Sequence, residues 1–538
     1  MGETWAEKYL AAVREFAETA MEYGRDAYGP KHTPLFIDGL NVETREPVMW
    51  KSPDGEEWVL VNVASQQNFY RTLTGLSALT GDPRYKAAAL DALRYAYANL
   101  KHGGYLSWGG HMAYDASTDT LVFADDKDRC NELKSHYPFW ELMWEADPGE
   151  AKALIETIWN GQVIDWSNLD FTRHGFPKEM GKLWDNEYVG GDVFFWGEGL
   201  TFLNSGSDMY YAAALLSKLA ADPRPLVWAK RMAHRYVETR NPKTGIGGFQ
   251  FSQMATAWCT WDGNQALIRG DRAEYQYGEC FPGHLVVEGT LFPCYGGTPG
   301  VQPLVCQMTL GEALGESGKD FTRWAVAELT AWGRSAYRAE DNSFIPMLTD
   351  GTIMEGFVVR KDGYFGPKGR VLRAGKAGAD HFWAYAMAFR ATGDAFMWEM
   401  ARSIARATEL GDIGATPHDK PKVNLDSDAA EPTALLGFLE LHRAVADEAF
   451  LAMAQRIGDN ILARRFHKGM FAPSVDHIHA KFDRVEPLAL LHLVAATQGR
   501  AGLVPEYPGG YGFYAAAYGT EGHRYDNRFI YERRREGT

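Results

Sequence analysis

Residues 73–100 read LTGLSALTGDPRYKAAALDALRYAYANL, and this stretch decides the fold. Apolar residues recur at helical spacing on both sides of Gly81-Asp82-Pro83. Proline in the first turn of the second helix loses only an N–H that has no partner there. The reading is a helix, a tight turn and a second helix. The run exits into GGYLSWGGH, residues 103–111.

The same plan recurs. Residues 207–240, SDMYYAAALLSKLAADPRPLVWAKRMAHRYVETR, have Asp-Pro at the matching turn and exit into NPKTGIGGFQ. Residues 381–411, HFWAYAMAFRATGDAFMWEMARSIARATELG, turn at Gly393-Asp394 and lack a clear glycine-rich exit. Residues 434–466, ALLGFLELHRAVADEAFLAMAQRIGDNILARRF, turn at Ala446-Asp447 and exit into HKGMFAP. Helices of this length joined by short turns form antiparallel hairpins. A ring of such hairpins gives an all-α dominated fold, an (α/α)n toroid whose loops carry the chemistry. Strand-like pieces at 56–64 (EEWVLVNVA) and 342–360 (NSFIPMLTDGTIMEGFVVR) place small β elements in those loops. No linker interrupts the pattern, so residues 1–538 are expected to form one toroid domain despite a length that suits several domains.

Composition bounds the function. The 538 residues carry 70 acidic and 55 basic side chains, a net charge of −15, which disfavours nucleic acid as a partner. Aromatics reach 13%, with 17 Trp, a composition that suits stacking on sugar rings as well as filling gaps between helices. Five cysteines, Cys130, Cys259, Cys280, Cys294 and Cys306, contain no CxxC pair and fit a reducing compartment. The N-terminal run MGETWAEKYLAAVREFAETAMEYG is a charged amphipathic helix without the apolar core of a signal peptide. The expectation is a cytoplasmic protein, or a periplasmic one if a leader was removed. No run is apolar enough to span a membrane.

Four polar, aromatic-rich stretches between residues 100 and 210 carry candidate chemistry. WGGHMAYD places His111 after two glycines. NELKSHYPFWELMW holds Glu132, Lys134, His136 and Tyr137. DWSNLDFTRHGF holds Arg173 and His174, and LWDNEYVGGDVFFWGEGLTFLNSGSDMYYAAA adds rings and polar groups. A lone histidine is usually structural. Two histidines and a glutamate together make a plausible metal site, and imidazole ligands favour a transition metal over calcium. Arg173, next to His174, sits where it could clamp a carboxylate.

These residues resemble those of polysaccharide lyase family 2, the pectate lyases. The resemblance implies an (α/α)7 barrel. It implies that His111, Glu132 and His174 hold a divalent transition metal, manganese above all. It implies Arg173 as the base and a second arginine further along. Arg272 in IRGDRAEYQYG is the best match, with Arg269 three residues away as the alternative. The implied substrate is an acidic oligo- or polysaccharide. The implied reaction is β-elimination in a 4-linked polyuronate such as pectate, the metal neutralising the carboxylate beside the C5 proton. Lys134, His136, Tyr137, Trp108, Trp166 and Trp184 are candidate substrate-binding residues. Two other classes stay open. One is a glycoside hydrolase of uronate oligosaccharides working with paired carboxylates from Asp165, Asp170, Asp185, Glu187 and Asp208. The other is a non-catalytic helical scaffold.

Overall fold

A computed structural model describes residues 5–52, 54–123, 130–261, 264–294, 297–514, 518–519, 522–523 and 530–535; of these, the side chains of 256–261, 264–269, 518–519 and 522–523 are left out of the description. The chain forms two compact units. The first comprises residues 1–157, 409–519 and 523–538, and the second residues 158–408 and 520–522.

The expected helix-dominated class, with small β elements in the loops, is the class observed. In the second unit three antiparallel helix pairs follow one another: Leu203–Leu219 with Arg224–Glu238, Gln302–Leu314 with Lys319–Ser335, and Ala379–Thr392 with Ala395–Ala407. The first member of each pair is buried on nearly every side, and these first members pack on one another. The second members bury one stripe, in Arg224–Glu238 the positions 225, 228, 229, 232, 233, 235 and 236. All-round burial and striped burial are what an inner and an outer helix layer require. The middle pair escapes sequence reading for a physical reason. Its inner helix is buried on nearly every side and so shows little apolar period, and its turn runs Gly315-Glu316-Ser317-Gly318 without the aspartate of the other turns.

The first unit holds Gln67–Thr80 with Arg84–Asn99 and Pro432–Val445 with Glu448–Arg465. Its final helix, Glu486–Thr497, is buried almost throughout and packs on both inner helices and on the N-terminal helix Trp5–Tyr23. That N-terminal helix inserts Tyr9, Val13, Phe16, Ala17 and Ala20. Phe16 meets Phe69, Phe471 and Phe482 at ring-centroid distances of 5.5–6.4 Å. Each such buried ring contributes about 1.5–3 kcal/mol.

The aspartate turns share one geometry. Gly81, Ala221, Gly393 and Ala446 all take φ between 53° and 75°. The aspartate after each accepts a backbone N–H two residues on, from Arg84, Arg224, Phe396 and Ala449, at 2.8–3.0 Å. A left-handed residue ends one helix and a carboxylate caps the next.

The helix pairs exit into short β elements. A four-stranded antiparallel sheet in the first unit runs in the order Met49–Lys51, Glu57–Val61, Met112–Asp115, Thr120–Phe123. The strand expected within 56–64 is the second of these. The 342–360 stretch supplies the short strands Ser343–Phe344 and Met347–Leu348.

Candidate active site

In the first unit two loops meet beside the four-stranded sheet. One is Ser107–His111, which leads into the strand Met112–Asp115, and the other is the stretch 130–137. Gly109 has φ 91°, and a Cβ there would lie 3.0 Å from the backbone N and O of Glu132. A Cβ on Gly110 would lie 2.5 Å from Glu132 Oε2. The glycine pair therefore has a packing reason: it lets the second loop lie directly on the first. The Gly110 N–H donates to the Glu132 carbonyl at 2.9 Å, and Asn62 donates through Nδ2 to the Gly109 carbonyl at 2.8 Å. Trp108 Nε1 donates to Asn131 Oδ1 at 2.7 Å, a third tie between the loops.

The result is a buried carboxylate between two nitrogen groups. His111 Nε2 lies 2.7 Å from Glu132 Oε2, and Lys134 Nζ lies 2.8 Å from Glu132 Oε1. Glu132 is fully buried and Lys134 is 21% exposed. The backbone around them is held in unusual conformations, with Asn131, Ser135 and Tyr137 at φ 49°, 53° and 46°. Such residues persist only where the surroundings over-determine them.

His136 is buried and secures this loop. Its Nδ1 accepts from the Lys134 N–H at 2.8 Å, and its Nε2 lies 3.2 Å from both the N–H and the carbonyl oxygen of Phe513. Burial lowers its pKa to about 4. Tyr137 is fully buried, and its carbonyl accepts from Arg71 at 2.8 Å. Trp108 is fully buried and packs edge-on against Trp140 at 5.9 Å.

In the second unit the strand pair Val163–Asp165 and Asp170–Phe171 leads directly into Arg173 and His174. Gln162 Nε2 donates to the Arg173 carbonyl at 2.7 Å, and His174 is buried. Asp170 accepts from the backbone N–H groups of Glu198 and Gly199 at 2.8 and 3.2 Å, while burial raises its pKa. Trp184 is buried and Trp166 half-buried. With Trp159 and Trp228 they form a ring cluster at centroid distances of 4.8–6.2 Å.

Arg173 and Arg272 approach the same ring. Their guanidinium carbons lie 5.6 Å and 5.4 Å from the centroid of Phe202. Arg272 begins the short helix Arg272–Tyr277, is 6% exposed, and makes a two-bond clamp on Glu288: Nε to Oε2 at 2.8 Å and Nη2 to Oε1 at 2.6 Å. Tyr364 lies flat against it at 3.7 Å. The side chain of Arg269 lies outside the described residues. Glu288, Tyr364 and Phe202 were not legible as neighbours of Arg272. The nearest sequence signal is Asp271 as a helix cap before an arginine.

Chemically, the first unit offers an imidazole, a carboxylate and an ammonium group, and the second an imidazole beside a guanidinium and a second, clamped guanidinium. An imidazole and a carboxylate are donors that suit a transition metal.

Comparison with known proteins gives one family. Residues 33–517 match the model described as periplasmic pectate lyase. A pectate disaccharide-lyase of Dickeya dadantii (strain 3937) is 28% identical over 551 residues, covering 98% of this chain and 96% of that protein. Among solved structures, a glycoside hydrolase family 76 α-mannanase of Bacteroides thetaiotaomicron superposes with a TM-score of 0.41 at 9% identity, covering 91% of this chain and 96% of that one. A cellobiose 2-epimerase of Bacillus thermoamylovorans B4167 gives 0.42 at 10% identity, over 91% of this chain and 99% of that one. The word periplasmic in the family description runs against the cytoplasmic location expected above. That expectation rested on a leader not seen, and an absence assigns no location. Among the described residues no helix is long and apolar enough to cross a membrane.

Proposed function

The chain belongs to the periplasmic pectate lyase family and is a polysaccharide lyase of acidic polysaccharide, and from that premise we propose that it cleaves 4-linked polygalacturonate or its oligomers by metal-assisted β-elimination with an arginine base. The relative that matches along nearly the whole length is itself described as a pectate disaccharide-lyase. The observation that carries the reading is Glu132, a fully buried carboxylate with His111 Nε2 at 2.7 Å and no room for a side chain on Gly110.

His111 and Glu132, joined by His174, are the proposed ligands. All three are buried, and two imidazoles and one carboxylate are donor types that suit a metal ion. The donors fit a divalent transition metal, proposed to be manganese. Such an ion, when bound, neutralises the substrate carboxylate and so acidifies the neighbouring C5–H. Lys134 holds one Glu132 oxygen and so fixes the angle of the carboxylate.

Arg272 is the proposed positioned cation for the substrate carboxylate. Glu288 and Tyr364 fix its plane, so it presents N–H groups without searching rotamers. Arg173 is the proposed base, taking the C5 proton as the C4–C5 double bond forms and the C4–O bond breaks, the departing oxygen taking its proton from solvent. An arginine acts as a base only from its neutral form. What supports Arg173 in this role is its place next to the proposed ligand His174 and its approach to the Phe202 ring that Arg272 also approaches.

The test is ultraviolet absorbance from the new double bond, followed on polygalacturonate and other uronans with chelator and with added manganese. Growth on polygalacturonate that stops with chelator and returns with manganese is the expected result. No growth on any uronan under either condition would sink the reading.

A further inference from the structure

Arg272 owes its orientation to Glu288, and Glu288 owes its own position to a second buried carboxylate. Asp271 is fully buried and precedes the helix that Arg272 begins. One of its oxygens, Oδ1, accepts three backbone N–H groups: Ala273 at 2.8 Å, Glu274 at 3.2 Å and Glu288 at 2.8 Å. The first two cap the Arg272 helix. The third comes from the short turn Glu288–Thr290. One oxygen atom therefore ties the start of the helix to the start of the turn, and the two side chains those elements carry are the ones that meet in the two-bond clamp.

The turn is fixed on its other side as well. A Cβ on Gly289 would lie 2.2 Å from the Gln250 carbonyl, and the Val287 N–H donates to Thr290 Oγ1 at 3.0 Å. What remains to set the clamp geometry is the separation between helix and turn. We infer that Asp271 is the positioning residue for Arg272, its Oδ1 setting that separation and thereby the angle at which the guanidinium meets a substrate carboxylate.

The rest of the carboxyl group bears this out. Its second oxygen, Oδ2, is buried and makes no hydrogen bond among the described residues. Burial, followed by the charge of Glu288, raises the Asp271 pKa to about 7. Holding an acid there has a cost, and only Oδ1 makes use of it. An amide with the same oxygen would therefore serve.

This inference rests on the role proposed for Arg272, so the experiment separates the two. Steady-state lyase kinetics are compared for wild type, Asp271→Asn, Asp271→Ala, Arg272→Met and the Asp271→Ala/Arg272→Met double variant, each assayed well below its unfolding temperature. Asp271→Asn keeps the acceptor and should retain activity to within about threefold. Asp271→Ala should lower kcat/KM by at least about tenfold, with no further loss in the Arg272→Met background, since neighbours acting through one group are non-additive. A merely structural role would cost the same in both backgrounds, and that additivity would overturn the inference, as would full activity in Asp271→Ala. Full activity in Arg272→Met would overturn the Arg272 reading itself and leave nothing to position. If Asp271→Ala does not fold, Asp271→Ser takes its place, because serine caps the helix but is too short to reach the Glu288 N–H.

Discussion

Gly110 stands where any side chain would meet the Glu132 carboxylate, its missing Cβ placed 2.5 Å from Glu132 Oε2. The contact is with a fully buried group held by Lys134 on its other oxygen, so the carboxylate has nowhere to retreat. Gly110→Ala should therefore move Glu132 off His111 and cost about 10- to 100-fold in metal affinity. Manganese titration followed by electron paramagnetic resonance measures this. Wild-type affinity in the variant would disconnect Glu132 from the metal.

Removing a ligand should mimic removing the metal. His111→Ala and His174→Ala should each lose at least about 100-fold in kcat/KM, because each removes a donor from the proposed three-residue set. Manganese concentrations that saturate wild type should not restore either one. Full recovery of His174→Ala at those concentrations would remove His174 from the ligand set.

The buried Arg272–Glu288 pair makes a stability prediction as well. Truncating one partner leaves the other charge buried and uncompensated. Glu288→Ala should lower unfolding free energy by about 3 kcal/mol, less for Glu288→Gln, which keeps an acceptor. Urea unfolding measures both, and a loss below about 1 kcal/mol for the alanine variant would mean the site relaxes or admits water.

His136 should make the first unit acid-labile. Its folded-state pKa of about 4 lies below the value of about 6.5 for an unfolded histidine. Between those values the unfolded chain binds the extra proton, so stability is full above about pH 6.5 and falls as pH drops toward 4. From pH 7 to 5 the wild type should lose on the order of 2 kcal/mol relative to His136→Gln. Parallel pH dependences for the two proteins would place the histidine in contact with water.

Ala221 occupies, at φ 53°, the turn position that Gly81 occupies in the first unit at φ 75°. A left-handed alanine is strained by about 1 kcal/mol relative to glycine. Ala221→Gly should raise the melting temperature by about 1–2 °C, while Gly81→Ala should lower it by a similar amount. A Cβ on Gly81 meets nothing within 4 Å, so the effect would be conformational and not steric.

Four of the five helix pairs were legible because their turns carry an aspartate after a glycine or alanine, and that chemistry is local. His111, Glu132 and the Arg173-His174 dipeptide stood out for a similar reason, since residue types and glycine neighbours are written in the chain. The rings were not legible. Trp108 and Trp184 read equally well as sugar platforms or as packing until burial placed them against Trp140 and Trp159.

By itself, the sequence determined the helix-pair repeat, the capped turns and the family, and it marked the candidate residues for its chemistry, all from patterns set within a few residues of chain. The tertiary structure alone decided that Gly109 and Gly110 exist to admit Glu132, that Arg272 is clamped by Glu288, and that one oxygen of Asp271 joins the two elements that make the clamp. These relations join segments about 16 to 23 residues apart, where contact depends on how a loop or turn packs. No local propensity or spacing encodes the distance between two packed segments.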